Sequence, residues 1–344
     1  MKLFKTLTMA AGLAVAAAAP AGAVDISGAG ATFPYPIYAK WADAYKKETS
    51  IGLNYQSIGS GGGIKQITAR TVTFGASDMP LQPAELDKIG CIQFPTVMGG
   101  IVPVVNLAGI QANELVIDGP TLAKIYLGEI KKWNDPALAK FNPNAKLPDQ
   151  AIALVHRSDG SGTTFIFTNY LAKVSPEWQS KVGSNTSVDW PAGIGAKGNE
   201  GVSNNVGNTK GSIGYVETAY AKQNKLTTLK MINKDGKTVA AVPEAIAAAA
   251  AGANWEHAPG FYMILTDSPG AQAWPIAGAT FILVPKQPKD IAATKQALAF
   301  FDWAYQKGGE MASTLDYVPM PQNVVKLIEA GWKEIKDDGG KPLY

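Results

Sequence analysis

The 344-residue chain holds one cysteine and two histidines. A single cysteine forms no internal disulfide. So few thiols and imidazoles cannot build a His- or Cys-rich zinc centre or an iron–sulfur cluster, which leaves only an all-oxygen metal site open. An excess of one charge is lacking too: 31 Lys and Arg stand against 28 Asp and Glu. That balance gives no electrostatic case for nucleic acid or an anionic membrane surface. Disorder is excluded by the 46% hydrophobic content, because a chain this apolar buries enough surface to fold. Glycine and proline are plentiful, 36 and 22 residues, and follow no short period, so the chain is not collagen-like. Their number points to many turns and close backbone approaches. The length suits about two domains or one large α/β unit.

One long apolar run is present, at the start. Lys2 and Lys5 precede an apolar stretch over 7–20, and Ala21-Gly22-Ala23 follows as a small-residue cleavage site. This is the pattern of a secretory signal peptide over 1–23, cut after Ala23. The stretch is shorter than the roughly 20 residues of a membrane span. Val24 follows the cut and Cys91 is distant, so no lipid anchor is expected. Export without an anchor points to the periplasm. Loss of the leader lysines leaves 29 basic against 28 acidic residues, a net charge of +1.

The remaining pattern is α/β. Residues 36–49 place Ile37, Trp41 and Tyr45 at helical spacing with Pro36 in the first turn. Strands are predicted over 52–58, 72–76, 101–105, 151–155, 212–216 and 281–285. Helices are predicted over 64–70, 119–127, 161–174, 243–253, 290–307 and 321–336. Strands alternating with helices argue for mostly parallel pairing. Cys91, between Gly90 and Ile92, reads as an inert packing residue.

Three short segments share one chemistry. They are Gly28-Ala29-Gly30-Ala31-Thr32-Phe33-Pro34, Ile58-Gly59-Ser60-Gly61-Gly62-Gly63 and Arg157-Ser158-Asp159-Gly160-Ser161-Gly162-Thr163-Thr164. The second and third lie between a predicted strand and a predicted helix, where backbone N–H groups have no partner inside the helix. Such groups and the helix dipole favour an anion. Glycine lets the backbone come close, and Ser and Thr hydroxyls add donors. Arg157 adds a two-pronged cation. Each segment alone reads first as a turn or a cap, and Arg157 with Asp159 can be a structural ion pair; together all three favour an oxyanion. Neither nucleotide fingerprint fits: Ile64 stands where G-x-G-x-x-G needs its third glycine, and no G-x-x-x-x-G-K-S/T occurs. Ser161 lies between Asp159 and Thr163 and is not the nucleophile of a G-x-S-x-G turn. Asp78 closes the 72–76 strand. It reads either as a turn cap or as an acceptor for a ligand that carries a proton, which phosphate has near neutral pH and sulfate lacks.

These segments, with Phe74-Gly75-Ala76-Ser77-Asp78, Lys131-Lys132-Trp133-Asn134-Asp135, Gly211-Ser212-Ile213-Gly214-Tyr215-Val216-Glu217, Phe300-Phe301-Asp302-Trp303-Ala304-Tyr305 and the terminal Gly340-Lys341-Pro342-Leu343-Tyr344, resemble the periplasmic phosphate-binding proteins of the high-affinity phosphate ABC transporter (the Pst system). The resemblance covers essentially all of 24–344. It implies the periplasmic binding protein fold: two α/β lobes with mixed, mostly parallel sheets joined by a two-strand hinge. Lobe I would comprise 24–105 and 281–344, and lobe II 106–280. Inorganic phosphate would be held in the cleft by Thr32, the backbone N–H of Phe33, Ser60, Asp78 as proton acceptor, Arg157, Ser161, Gly162 and Thr163, with Asp159 orienting Arg157 from behind. The implied protein is a monomer without metal, cofactor or catalytic residue. It would deliver phosphate to an inner-membrane ABC permease and make no contact with nucleic acid. One departure is Gly61, where the family often has a second serine; a backbone N–H there can still contribute. Two other readings stand beside this one: a binding protein for another tetrahedral oxyanion such as sulfate or molybdate, and a secreted phosphoric-ester hydrolase using a serine.

Overall fold

The computed structural model describes residues 25–344. The leader predicted over 1–23 lies outside the described residues. Among the described residues no helix is long and apolar enough to cross a membrane.

The first half alternates short strands with helices: β1 (Ile26–Gly30), α1 (Tyr35–Thr49), β2 (Leu53–Ser57), α2 (Ser60–Thr68) and β3 (Phe74–Ser77). Helix α1 forms as its spacing requires, with Ile37, Tyr38, Trp41 and Tyr45 buried on one face. Ser50 ends it in the left-handed conformation at φ 62°. Strand β4 (Cys91–Val105) is buried along nearly its whole length. It starts ten residues before the apolar run over 101–105; Gln93, Thr96 and two glycines ahead of that run hide this part from the sequence pattern, and pairing with the strand over Ala277–Pro285 extends β4 through it. Gln93 is buried by satisfying both its amide ends, on Leu81 and on the Gly260 carbonyl.

The second half adds β5 (Ala153–Arg157), α3 (Gly162–Val174), β6 (Ile194–Ala196), α4 (Gly198–Asn208), β7 (Ser212–Glu217), α5 (Thr218–Gln223) and β8 (Ala277–Pro285). The last long helices are Ile291–Lys307 and Gln322–Gly331. The second of these stops earlier than its predicted end at 336, and Trp332–Glu334 continues as one 3-10 turn.

All eight strands lie in one ten-stranded sheet in the order β2-β1-β3-β8-β4-β7-β5-β6, with Thr227–Thr228 and Val318–Pro319 added alongside β4. The outer pairs are parallel. The pairs β3–β8, β8–β4 and β4–β7 are antiparallel, so the sheet is mixed about its two long central strands. Strand β4 pairs with β8 from Cys91 to Gly100, then takes β7 as partner from Ile101 to Val105. One strand therefore belongs to both ends of the sheet. A second, three-stranded sheet joins Val116–Asp118, Lys230–Ile232 and Thr238–Val239.

Helix α2 packs on β1 and β3, and α4 on β5 and β7. Around β1 and β4 the core is aromatic: Phe301 meets the rings of Tyr38, Phe74 and Phe94 edge-on, at 5.1 to 6.1 Å between centroids. Trp41 reaches across to donate its Nε1–H to the Gly308 carbonyl. Cys91 is buried, and burial pushes its thiol up despite the neighbouring Arg70. This arrangement fixes the strand ends from which the site loops spring.

Candidate functional site

The two loops that patterning puts at strand–helix junctions, after Ile58 and after Arg157, stand at such junctions, and the 28–34 segment, for which no strand is predicted, does so too. Residues 31–34 join β1 to α1, Ile58 and Gly59 join β2 to α2, and 158–161 join β5 to α3. The C-terminal ends of β1, β2, β3 and β5 converge with these helix starts. Open α/β sheets hold ligands at that edge.

Gly59 and Gly162 permit the convergence. Gly59 sits at φ 88°, and a Cβ there would fall 2.6 Å from the Gly160 carbonyl. The Gly61 N–H donates to that same carbonyl at 2.9 Å. It is therefore spent on a backbone contact between the two loops. Gly162 lies against Asp78, with no room for a methyl group. Thr32, Ser60, Asp78, Arg157, Ser161 and Thr163 are each at most 3% exposed, and Phe33 is wholly buried.

The hydrogen bonds leave a definite pattern of donors. Ser60 Oγ accepts from the Asp78 N–H at 3.1 Å and from the Gly162 N–H at 3.0 Å. Its own hydrogen therefore remains to be given. Ser161 caps α3, its Oγ accepting the Thr164 N–H at 3.0 Å, so the capping role holds and the hydroxyl hydrogen is again left over. The Phe33 carbonyl accepts from Tyr317 Oη, and the Thr32 carbonyl from Tyr220 Oη, each at 2.6 Å. Two tyrosines thus clamp this stretch of backbone by its oxygens.

The buried Arg157 and the half-buried Asp159 form a two-pronged pair: Nε donates to Oδ1 at 2.7 Å and Nη2 to Oδ2 at 2.6 Å. Asp159 Oδ1 also accepts the Gly198 N–H at the start of α4, at 3.0 Å. Burial works against both charges. For Asp159 it is outweighed by the Arg157 bonds and by that N–H, which hold the carboxyl below its usual range. For Arg157 the Asp159 carboxylate outweighs burial and keeps the guanidinium protonated. Arg157 Nη1 is buried with no protein partner, and so are both carboxylate oxygens of Asp78. Burial pushes the Asp78 carboxyl up to about 7, against the opposing pull of the nearby Thr280, Arg157 and Ser60.

The site is thus donor-rich: leftover hydroxyl hydrogens, one free guanidinium NH2 group, the starts of α2 and α3, and one acceptor group, Asp78. His156 bonds the Arg157 carbonyl through Nδ1 and stacks on Trp190, and His257 pairs with Asn254. Among the described residues no group of three or more His, Cys, Asp or Glu could hold a metal ion.

Several groups of the site carry no local signal that assigns them to it, Tyr215 and Glu217 included although they lie in a segment of the resemblance. Asn199, wholly buried, bonds both Thr32 and Thr163. Tyr215 Oη accepts the Arg157 N–H at 3.1 Å and bonds Thr164 Oγ1 at 2.6 Å. Glu217 is buried at the end of β7, and burial pushes it up to about 8 although Thr218 and Ala219 donate to it; Tyr317 Oη, whose hydrogen goes to the Phe33 carbonyl, lies 3.0 Å from its Oε2. Tyr317 lies 284 residues from Phe33, and Tyr220 lies 188 residues from Thr32. Only a three-dimensional arrangement reveals them.

The model of the PBP superfamily domain matches residues 15–307. The chain is 54% identical to the phosphate-binding protein PstS of Pasteurella multocida over 323 residues, 94% of each protein. It is 53% identical to the phosphate-binding protein PstS of Haemophilus influenzae over 313 residues, 91% of this chain and 94% of that one. Among solved structures it resembles a high-affinity periplasmic phosphate-binding protein, PfluDING, bound with phosphate: the TM-score is 0.72 at 21% identity, over 90% of this chain and 94% of that one. At that identity the likeness is one of fold.

Proposed function

The chain belongs to the PBP superfamily and, within it, to the phosphate-binding proteins PstS, and on that premise we propose that it captures inorganic phosphate at the buried site and hands it to an ABC permease. The observation that carries this reading is the buried, unpartnered Asp78 carboxyl beside the free Nη1 of Arg157. A bare donor site suits any oxyanion. A carboxyl added to it suits one that brings a proton, because the acceptor then gains a bond where a fully ionised ligand would meet repulsion. Phosphate meets that requirement near neutral pH and sulfate does not.

In this reading Thr32, the Phe33 N–H, Ser60, Ser161 and Thr163 donate to phosphate oxygens, and the Gly162 N–H, which reaches Ser60 Oγ at 3.0 Å, shares its hydrogen between that oxygen and the ligand. Arg157 supplies the positive charge, aimed by Asp159, and Asp78 accepts the phosphate proton. Lobe I comprises 24–105 with 281–344, and lobe II 106–280. The change of partner along β4 between Gly100 and Ile101 supports a crossing between lobes on the two long strands. Opening and closing about them would admit and bury the ligand. No bond in the ligand is made or broken. The leader over 1–23 and the relationship to PstS support a periplasmic location.

Calorimetric titration of the purified protein with phosphate, sulfate and arsenate tests the proposal. Phosphate binds one to one and sulfate gives no heat at equal concentration. Arsenate binds as well, since it shares the shape and the proton and no residue of the site distinguishes it. Sulfate binding as tight as phosphate at pH 8 would overturn the proposal.

A further inference from the structure

Asn199 lies in the first turn of α4 and is completely buried. Its Nδ2 lies 2.7 Å from Thr32 Oγ1 and 3.1 Å from Thr163 Oγ1. Its backbone N–H reaches the same Thr32 oxygen at 3.2 Å. Its Oδ1 accepts the Glu217 N–H at 3.0 Å. That last bond fixes the orientation of the amide. The Oδ1 face meets a backbone donor, so the NH2 face is the one turned to the two threonines.

An NH2 group only donates. Both threonine oxygens are therefore acceptors toward Asn199, and each hydroxyl keeps one hydrogen that cannot point back. We infer that Asn199 is a positioning residue: it holds the Thr32 and Thr163 hydroxyls as outward-facing donors, so that Asp78 is left as the acceptor for the ligand's proton. A threonine hydroxyl without such a neighbour serves equally as donor or acceptor and gives a protonated oxyanion a second place to put its hydrogen. With Asn199 the ambiguity is removed at two positions at once. Thr32 comes from the loop after β1 and Asn199 from the start of α4, so the arrangement also exists only where these two parts of the molecule meet. The inference rests on the phosphate-binding reading and names a residue that the loop motifs do not contain.

The test uses the full mature protein and inorganic phosphate. With one threonine hydroxyl freed to turn away and the other loosened, Asn199→Ala binds phosphate about 30-fold more weakly, the loss expected when charge-assisted bonds lose their alignment. In a Thr32→Val/Thr163→Val background the same substitution changes affinity by less than about twofold, because the hydroxyls it would orient are gone; an undiminished loss in that background overturns the inference. Asn199→Asp keeps the shape and reverses the polarity. Its ionised carboxyl draws both hydroxyl hydrogens to itself, and a proton gained at lower pH returns a donor. Its affinity relative to the parent therefore recovers as pH falls from 8 to 5. Glu217, Tyr220, Asp159, Arg157 and Asp78, on the elements packed around it, are shared by parent and variant and cancel in that ratio. A parent that binds phosphate beside an Asn199→Ala variant of equal affinity overturns the inference and leaves the phosphate reading standing. A parent that does not bind phosphate overturns the phosphate reading itself. Should Asn199→Ala melt below the assay temperature, Asn199→Asp decides: a pH-independent ratio to the parent marks a purely structural role and overturns the inference.

Discussion

Replacing Asp78 by asparagine removes a charge and keeps the shape, and its consequences run in opposite directions for binding and stability. Burial raises the carboxyl from its ordinary 3.8 to about 7, which corresponds to about 4 kcal/mol of preference for the protonated form. A carboxyl raised in the folded protein keeps a proton that the unfolded chain has lost. Its contribution to stability is therefore full below about pH 4 and is lost as pH rises to about 7. At pH 8 the ionised carboxylate costs the protein up to about 4 kcal/mol. The Asp78→Asn variant accordingly unfolds at a higher temperature than the parent at pH 8, and at the same temperature at pH 4. Phosphate loses a charge-assisted hydrogen bond of about 1.5–3 kcal/mol, so its affinity falls by about 10- to 150-fold. Sulfate, which has no proton, meets a carboxamide donor in place of a negative oxygen and binds more tightly. Calorimetry at pH 8 with both anions, and thermal unfolding at pH 4 and 8, read all four quantities. An unchanged ratio of phosphate to sulfate affinity would refute the role of proton acceptor.

Three further substitutions probe the same geometry. Arg157→Ala withdraws the free Nη1 and strands Asp159 in a half-buried place, so phosphate affinity falls by at least about 100-fold by calorimetry; parent-like titration excludes a direct contact. Gly162→Ala sets a methyl group 2.6 Å from Asp78 Cβ. The loops then cannot close, and small-angle scattering shows no compaction on adding phosphate; compaction equal to the parent's contradicts the packing argument. Tyr317→Phe removes the hydroxyl that donates to the Phe33 carbonyl beside Glu217, leaving that buried carbonyl short of a donor. Denaturant unfolding loses about 2 kcal/mol, and an unchanged midpoint would show that water or a neighbour substitutes for it.

The parts legible in the sequence are those where one local rule decides. Helix α1 follows from apolar spacing and a proline in its first turn, and the loops at Gly59 and Gly162 from glycine and hydroxyl residues between a strand and a helix. Helix α4 is invisible for the converse reason. Its sequence GNEGVSNNVGN carries three glycines and four asparagines, poor helix formers all. It is helical because Val202 and Val206 are buried against β7, where Gly214 leaves them space. Tertiary packing overrides propensity there, and the same helix carries Asn199. The start of β4 is hidden likewise, since its polar residues find buried partners from distant segments. The interrupted lobe arrangement has no local signal whatever and enters only through resemblance to a family.

Strand β4 ties the folding of the N-terminal third to the far end of the chain. The partner along its first ten residues, β8, begins only at Ala277. Strand β3 waits on the same partner. Until β8 has been made, β3 and the start of β4 present unpaired edges, and the N-terminal part has no closed sheet to fold into. The contact order of this part is accordingly high, and its loop-closure entropy is met late. A chain emerging N-terminus first must keep these edges apart from other chains until more than three quarters of it has appeared.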